Sequence, residues 1–144
     1  MTAVWRERIL GLVSDAVFAE PVTEAALREA EHALGERLPP DLVSLLTETD
    51  GVIEGSWGTP LVWPLARVVS DNLAMRTDPR LAQDCMPFDA LLFFADAGNG
   101  DLFAFPITTR DDVFVWNHED DSRAWCADSL AMFLQWWIDG TLTV

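Results

Sequence analysis

The chain contains no lysine and no tyrosine, and all nine of its cationic side chains are arginines. That double absence removes a phosphate-loop lysine, a Schiff-base lysine and a tyrosine general acid, and many enzyme classes go with them. Cysteine is scarce as well. Cys85 and Cys126 stand alone, neither in a CxxC pair nor beside a histidine. Two isolated cysteines without a secretory signal read as reduced, cytosolic thiols. Long apolar runs are missing too, since the longest falls far short of the roughly 20 residues a membrane span requires. Positive charge is the scarce sign. Nine basic residues face 24 acidic ones, for a formal net charge of −15. Such a chain repels nucleic-acid backbones and anionic membranes and is drawn to basic surfaces.

What is present is apolar and ordered. Half of the 144 residues are hydrophobic, the size and richness of one domain with one core, so residues 1–144 are expected to form a single domain. No internal repeat or low-complexity segment interrupts it. Val4, Ile9, Leu12, Val13 and Val17 follow a helical spacing near the start, weakened at Gly11. "VTEAALREAEHALG" has Thr23 as an N-cap, Leu27, Ala30 and Leu34 on one face, and Gly35 as its stop. "LPPDLVSLLTETDG" opens on Pro40, places Leu42, Leu45 and Leu46 together and ends by Gly51.

After Gly51 the pattern becomes β-like. Strands are expected near Val52 and over Leu61 to Leu65, and a helix over "ARVVSDNLAMRTDP" up to its proline. Leu91 to Ala95, Leu102 to Ile107 and Val113 to Trp116 read as an antiparallel meander. "DSLAMFLQWWIDG" closes with a capped helix carrying Leu130, Phe133, Leu134 and Trp137 at helical spacing. The expected class is α+β: N-terminal helices, a central mostly antiparallel sheet, and a C-terminal helix packed on it. The expected core comprises Leu27, Leu34, Leu42, Leu45, Leu92, Phe94, Phe103, Phe105, Leu130, Phe133 and Trp137.

Three features compete as sites. Asp96, Asn99 and Asp101 in "ADAGNGDLF" resemble an oxygen-ligand set, but a calcium loop needs a bidentate glutamate about twelve residues after its first ligand, where this chain has Ile107. A phosphate-binding glycine loop opens a helix, whereas a strand follows here. Gly98, Asn99 and Gly100 therefore read as a hairpin turn. His118, beside Glu119, Asp120 and Asp121, could join them around a metal, yet spacing supplies no second histidine or cysteine, and a solvated acidic loop is the plainer account. His32 reads as a solvated or capping residue of its helix. Among seven tryptophans, Trp57 sits in the glycine-rich "EGSWGTP" without periodic partners, either folded back on the core or exposed as a recognition anchor.

The segments "LGERLPPDLVSLLTETDG", "LLFFADAGNGDLFAF", "VFVWNHED" and "SLAMFLQWWIDG", in this order, resemble the SUKH superfamily of fungal cell-wall synthesis regulators and bacterial immunity proteins. Shared are a helix ending in LG, a leucine-proline opening of the next helix, a DG stop, a glycine-rich hairpin, a strand ending in tryptophan and a final helix beginning Ser-Leu. The likeness runs from about residue 24 onward. It implies an α+β domain without enzymatic activity, cofactor or metal, acting in the cytoplasm of bacteria on a protein partner. In immunity members that partner is a toxin domain, often a nuclease; other members are adaptors.

Combined with the charge, the resemblance leads to a concrete expectation. A monomer or weak homodimer would dock an acidic surface, comprising Asp111, Asp112, Glu119, Asp120 and Asp121, onto a basic protein, with Trp57 or Trp116 as the aromatic anchor. The alternative is a small-molecule or metal-binding regulatory module built on Asp96, Asp101 and His118. An enzyme would need a converging nucleophile, base and oxyanion donors, which no spacing in the sequence assembles.

Overall fold

The computed structural model describes residues 4–108 and 111–144. Helix α1, Val4–Leu12, buries Trp5 and Ile9. The helical spacing does not continue to Val17: the chain leaves the helix after Leu12 and forms a three-residue strand, β1, Ala16–Phe18. Tertiary pairing overrides local periodicity there, because Val17 finds a cross-strand partner in Ile53.

Helix α2, Glu24–Leu34, has both ends fixed by its own sequence. The Thr23 side chain accepts a hydrogen bond from the Ala26 N–H, and the Gly35 N–H donates back to the carbonyls of Glu31 and His32. Leu27, Ala30 and Leu34 point inward. Helix α3, Pro40–Leu46, starts at a proline, which gives up an N–H that would have had no helical partner, and buries Leu42, Leu45 and Leu46.

Strands β2, Val52–Glu54, and β3, Thr59–Val62, complete an antiparallel sheet in the order β1–β2–β3. The second strand ends earlier than its apolar run, because Pro64 stands at the start of helix α4, Leu65–Thr77, whose Leu65 N–H donates to Asp50 Oδ1. A further short helix, α5, Pro79–Asp84, follows at once. Its proline is a start as well as a stop, since α4 ends just before it, and the Asp78 side chain caps α5 by accepting from the Arg80 N–H.

Strands β4 (Leu91–Asp96), β5 (Leu102–Pro106), β6 (Val113–Trp116) and β7 (Arg123–Ala127) form the second antiparallel sheet, in sequence order. β7 extends the expected meander by one strand. The two sheets meet where the Trp63 N–H donates to the Phe94 carbonyl at 2.8 Å. Helix α6, Leu130–Asp139, is capped by the Ser129 hydroxyl, which accepts from the Met132 N–H, and ends at Gly140. The fold is α+β, as the patterning predicts.

The core is aromatic at its centre. Phe94 lies 4.4 Å from Phe105 and 5.4 Å from Phe133, and Phe103 lies 4.6 Å from Phe133, all measured between ring centroids. These four rings are fully buried between the larger sheet and α6. Trp137, expected in the core, is half-buried, its ring set edge-on to Phe103 at 5.0 Å. A second aromatic group, Phe88, Phe93 and Trp116, packs edge-on or tilted at 5.3–5.9 Å. Phe93 is one residue from Phe94, and strand alternation sends the two rings to different clusters.

Candidate functional site

The acidic residues singled out from the sequence lie on the β6–β7 hairpin and just before it. The turn is held by its own polar groups. The Asn117 N–H donates to the Ser122 carbonyl and the Asp121 N–H to the Asn117 carbonyl, both at 2.9 Å. Asn117 Oδ1 accepts from the Glu119 N–H and Asp120 Oδ1 from the Ser122 N–H. Glu119 and Asp120 are thereby left at the apex with their side chains in solvent. The bonds from Ser122 hold the Asp120 carboxyl below the ordinary carboxylate range. Asp111 is exposed and Asp112 half-buried at the other end of the hairpin.

Asp121 and Trp116 do not belong to this surface. Trp116 is only 5% exposed, packed edge-on against Phe88. Its indole N–H donates to Asp121 Oδ1 at 2.7 Å. The same carboxylate accepts from the Met86 N–H and pairs with Arg123 at 3.2 Å, while the Arg123 guanidinium donates to the carbonyls of Met86 and Pro87 and covers the Phe88 ring. Burial by itself would raise the Asp121 pKa, but the bonds from Met86, Trp116 and Arg123 outweigh it and hold the carboxyl low. The expectation of an exposed Trp116 anchor beside a free Asp121 is therefore corrected: the pair is an internal clamp fastening the 86–88 segment over the sheet.

Two other tryptophans are exposed. Trp57 is 83% exposed in the β2–β3 turn. Trp125, on β7, is 53% exposed; its indole N–H donates to Asp112 Oδ1 at 3.3 Å, and its ring lies edge-on to Trp136 at 6.5 Å. Sequence reasoning passed over Trp125 because it falls outside the strands that reasoning recognised. In the folded hairpin it stands opposite Phe114.

The oxygen set of the β4–β5 turn is divided among separate structural tasks. Asp96 accepts from the Trp63 indole at 3.0 Å and pairs with Arg67 at 3.3 Å. Asn99 Oδ1 accepts from the Asp101 N–H. Asp101 is buried, and its Oδ1 accepts from the His118 backbone N–H at 3.1 Å and meets the ring Nδ1 at 2.7 Å. Burial would raise the Asp101 pKa, but these bonds override it and lower it. Among the described residues no three His, Cys, Asp or Glu side chains gather to hold a metal ion. Cys126 is buried, which pushes its thiol up to about 11. A thiol held protonated in this way is a poor nucleophile at neutral pH.

His118 also explains Gly100. That glycine has φ +103°, and a Cβ there would sit 2.9 Å from the imidazole; Gly98 has φ +85° but open space around it. Gly100→Val is expected to cost about 1–3 kcal/mol and more than Gly98→Val, since strain is joined by a clash. Thermal melts of the two variants test this, and equal losses would show that the imidazole contact imposes nothing.

A concavity of about 600 Å³ lies between α2 and α4 and is walled by Val22, Ala26, Ala30, Leu65 and Val69, with Glu29 and Asp50 as its charged lining. No described helix is long and apolar enough to cross a membrane.

The described chain is thus an α+β domain whose prominent outward features are carboxylates and two exposed tryptophans, a recognition surface in its chemistry. It belongs to the SMI1 / KNR4 family (SUKH-1), whose model matches residues 21–136. No curated protein matches the chain. Membership supports a protein-binding role of the toxin-immunity and SMI1–KNR4 type.

Proposed function

We propose that this protein is a bacterial immunity protein that acts in the cytoplasm, as a monomer or weak homodimer, by binding and neutralising a cognate toxin domain, and that it performs no chemistry of its own. The observation that carries the reading is the distribution of charge. Arg28, Arg67, Arg76, Arg80 and Arg123 each pair with a carboxylate of the same chain, and Arg6 donates to the carbonyls of Glu48 and Ala19. Many of the remaining carboxylates, Glu20, Asp84, Asp89, Asp111, Glu119 and Asp120 among them, are exposed. A basic toxin, such as a nuclease whose own substrate is a polyanion, is the complement of such a surface.

Asp111, Asp112, Glu119 and Asp120 steer the encounter, and Trp57 is the aromatic anchor. Electrostatic steering acts on the association rate, whereas buried aromatic contacts act on dissociation. Glu119→Lys combined with Asp120→Lys is expected to slow association by about tenfold at low salt and to flatten its salt dependence. Surface-binding kinetics against the toxin-like product of the adjacent gene measures this. An unchanged on-rate, or no binding of that product by the parent protein, would overturn the reading. Asp121 is left intact in this variant because reversing it would break the Trp116 clamp.

A further inference from the structure

We infer that the outer face of the β1–β2–β3 sheet, together with Trp57, is a platform for an arginine-bearing segment of a partner protein. The inference rests on the protein-binding reading above and gives it a location and a recognition chemistry.

Two exposed aliphatic residues and a half-buried proline line up across the small sheet. Val17 is in register with Ile53, and Ile53 with Pro60, one from each strand. Val17 is 52% and Ile53 42% exposed. Cross-strand aliphatic rows usually face a core, and a contiguous one left open at the surface marks a contact site.

Trp57 stands at the end of the same sheet, and its turn is braced before any partner arrives. The Gly55 N–H donates to the Asp15 carbonyl at 3.0 Å, the Ser56 hydroxyl to the Asp15 carboxylate, and the Gly58 N–H to the Glu54 carbonyl at 2.8 Å. A Cβ at residue 55 would lie 2.3 Å from the Asp15 carbonyl oxygen, so only glycine admits this brace. An exposed indole carried on a braced turn costs less to immobilise, because the ordering of its backbone is complete before binding.

Charge decides which occupant fits. Asp15 and Glu20 lie beside β1 and are exposed, whereas Glu54, next to Ile53 on β2, faces the other side beside Trp137 and Ile138. The arginine of this region, Arg6, is turned away: its guanidinium lies over the Phe18 ring at 5.2 Å and is bonded to the Glu48 and Ala19 carbonyls. Beside the row is a hollow of about 140 Å³ lined by Val17, Ile53, Pro60, Val62 and Asp50. Apolar walls with an acidic residue among them suit the aliphatic stem and charged head of an arginine. A second guanidinium can lie flat on the Trp57 indole.

The test uses a ten-residue peptide of alternating arginine and leucine, and its citrulline analogue, which keeps shape but lacks charge. Calorimetry and the indole N–H resonance of Trp57, identified by its disappearance in Trp57→Ala, are read at moderate salt. The arginine peptide is expected to shift that resonance and the citrulline peptide to leave it in place. Trp57→Ala is expected to weaken binding by at least about tenfold, and Ile53→Ser by a smaller factor, with unchanged melting curves. Glu119→Lys with Asp120→Lys should alter peptide affinity by less than about threefold, because screening confines each charge's influence to its own neighbourhood. The platform is refuted by equal binding of the citrulline peptide, by binding that ignores Trp57→Ala, or by no binding up to millimolar peptide. Such a result alongside normal toxin kinetics would remove the platform and leave the immunity reading standing. Peptide binding without any toxin binding would do the reverse.

Discussion

Phe103→Ala should lower the stability of this protein by about 3–5 kcal/mol, the cost of emptying a fully buried aromatic site. Phe103 has no exposed surface and touches two rings of α6, Phe133 at 4.6 Å and Trp137 at 5.0 Å. Removing it takes the partner from both and opens a cavity between the larger sheet and the closing helix. Neither element is free to collapse into it, since Phe94 and Phe105 fill the adjoining space at 4.4 Å from each other. Against a total stability of about 5–15 kcal/mol, such a loss removes a large share. Urea denaturation should show the midpoint fall with the slope unchanged, and the melting temperature should drop by about 10 °C or more. A midpoint within error of the parent would mean that this aromatic cluster is not the centre of the core.

Asn72→Leu is expected to be nearly as damaging although the substitute is apolar and similar in size. Asn72 is buried on α4, where its Oδ1 accepts from the Phe93 N–H at 2.8 Å and its Nδ2 donates to the Phe93 carbonyl at 2.8 Å and the Val68 carbonyl at 2.6 Å. One side-chain amide thus pairs with both backbone groups of a β4 residue, as a neighbouring strand would. Leucine would leave that N–H and C=O buried without partners, at about 1–3 kcal/mol for each. Asn72→Asp should also destabilise, because a carboxylate cannot donate to the two carbonyls. Denaturant titrations of both variants decide the matter. A leucine variant as stable as the parent would show that β4 does not depend on this amide.

The parts of the fold legible in the sequence are those whose signals act within a turn or two. Thr23 and Gly35 mark the ends of α2, and Gly140 the end of α6 with Asp128 or Ser129 at its start, because a cap satisfies backbone groups only three or four residues away. The nearly unbroken apolar runs at 91–95 and 102–105, parted by a glycine-rich turn, likewise announce β4 and β5. The strands that escaped notice, β1 and β7, have little local pattern. β1 exists because β2, far along the chain, offers its edge, and β7 because β6 does. Proline was ambiguous for a related reason, since Pro79 ends one helix and begins another, and only the Asp78 cap distinguishes the two.

The candidate site divides along the same line. Composition alone determined that the protein is strongly acidic and lysine-free, and that Glu119 and Asp120 belong to a polar turn. It could not tell Trp116 from Trp125, two indoles in strands of similar character on one hairpin. Only the tertiary structure made one a core residue and the other a surface residue. The 86–88 segment folds over Trp116, fastened by Asp121 and Arg123, while Trp125 meets Asp112 and the edge of Trp136 and stays half in solvent. Charge and local backbone preference are properties of a residue and its neighbours and can be read along the chain, whereas burial is set by whichever distant segment arrives to cover it.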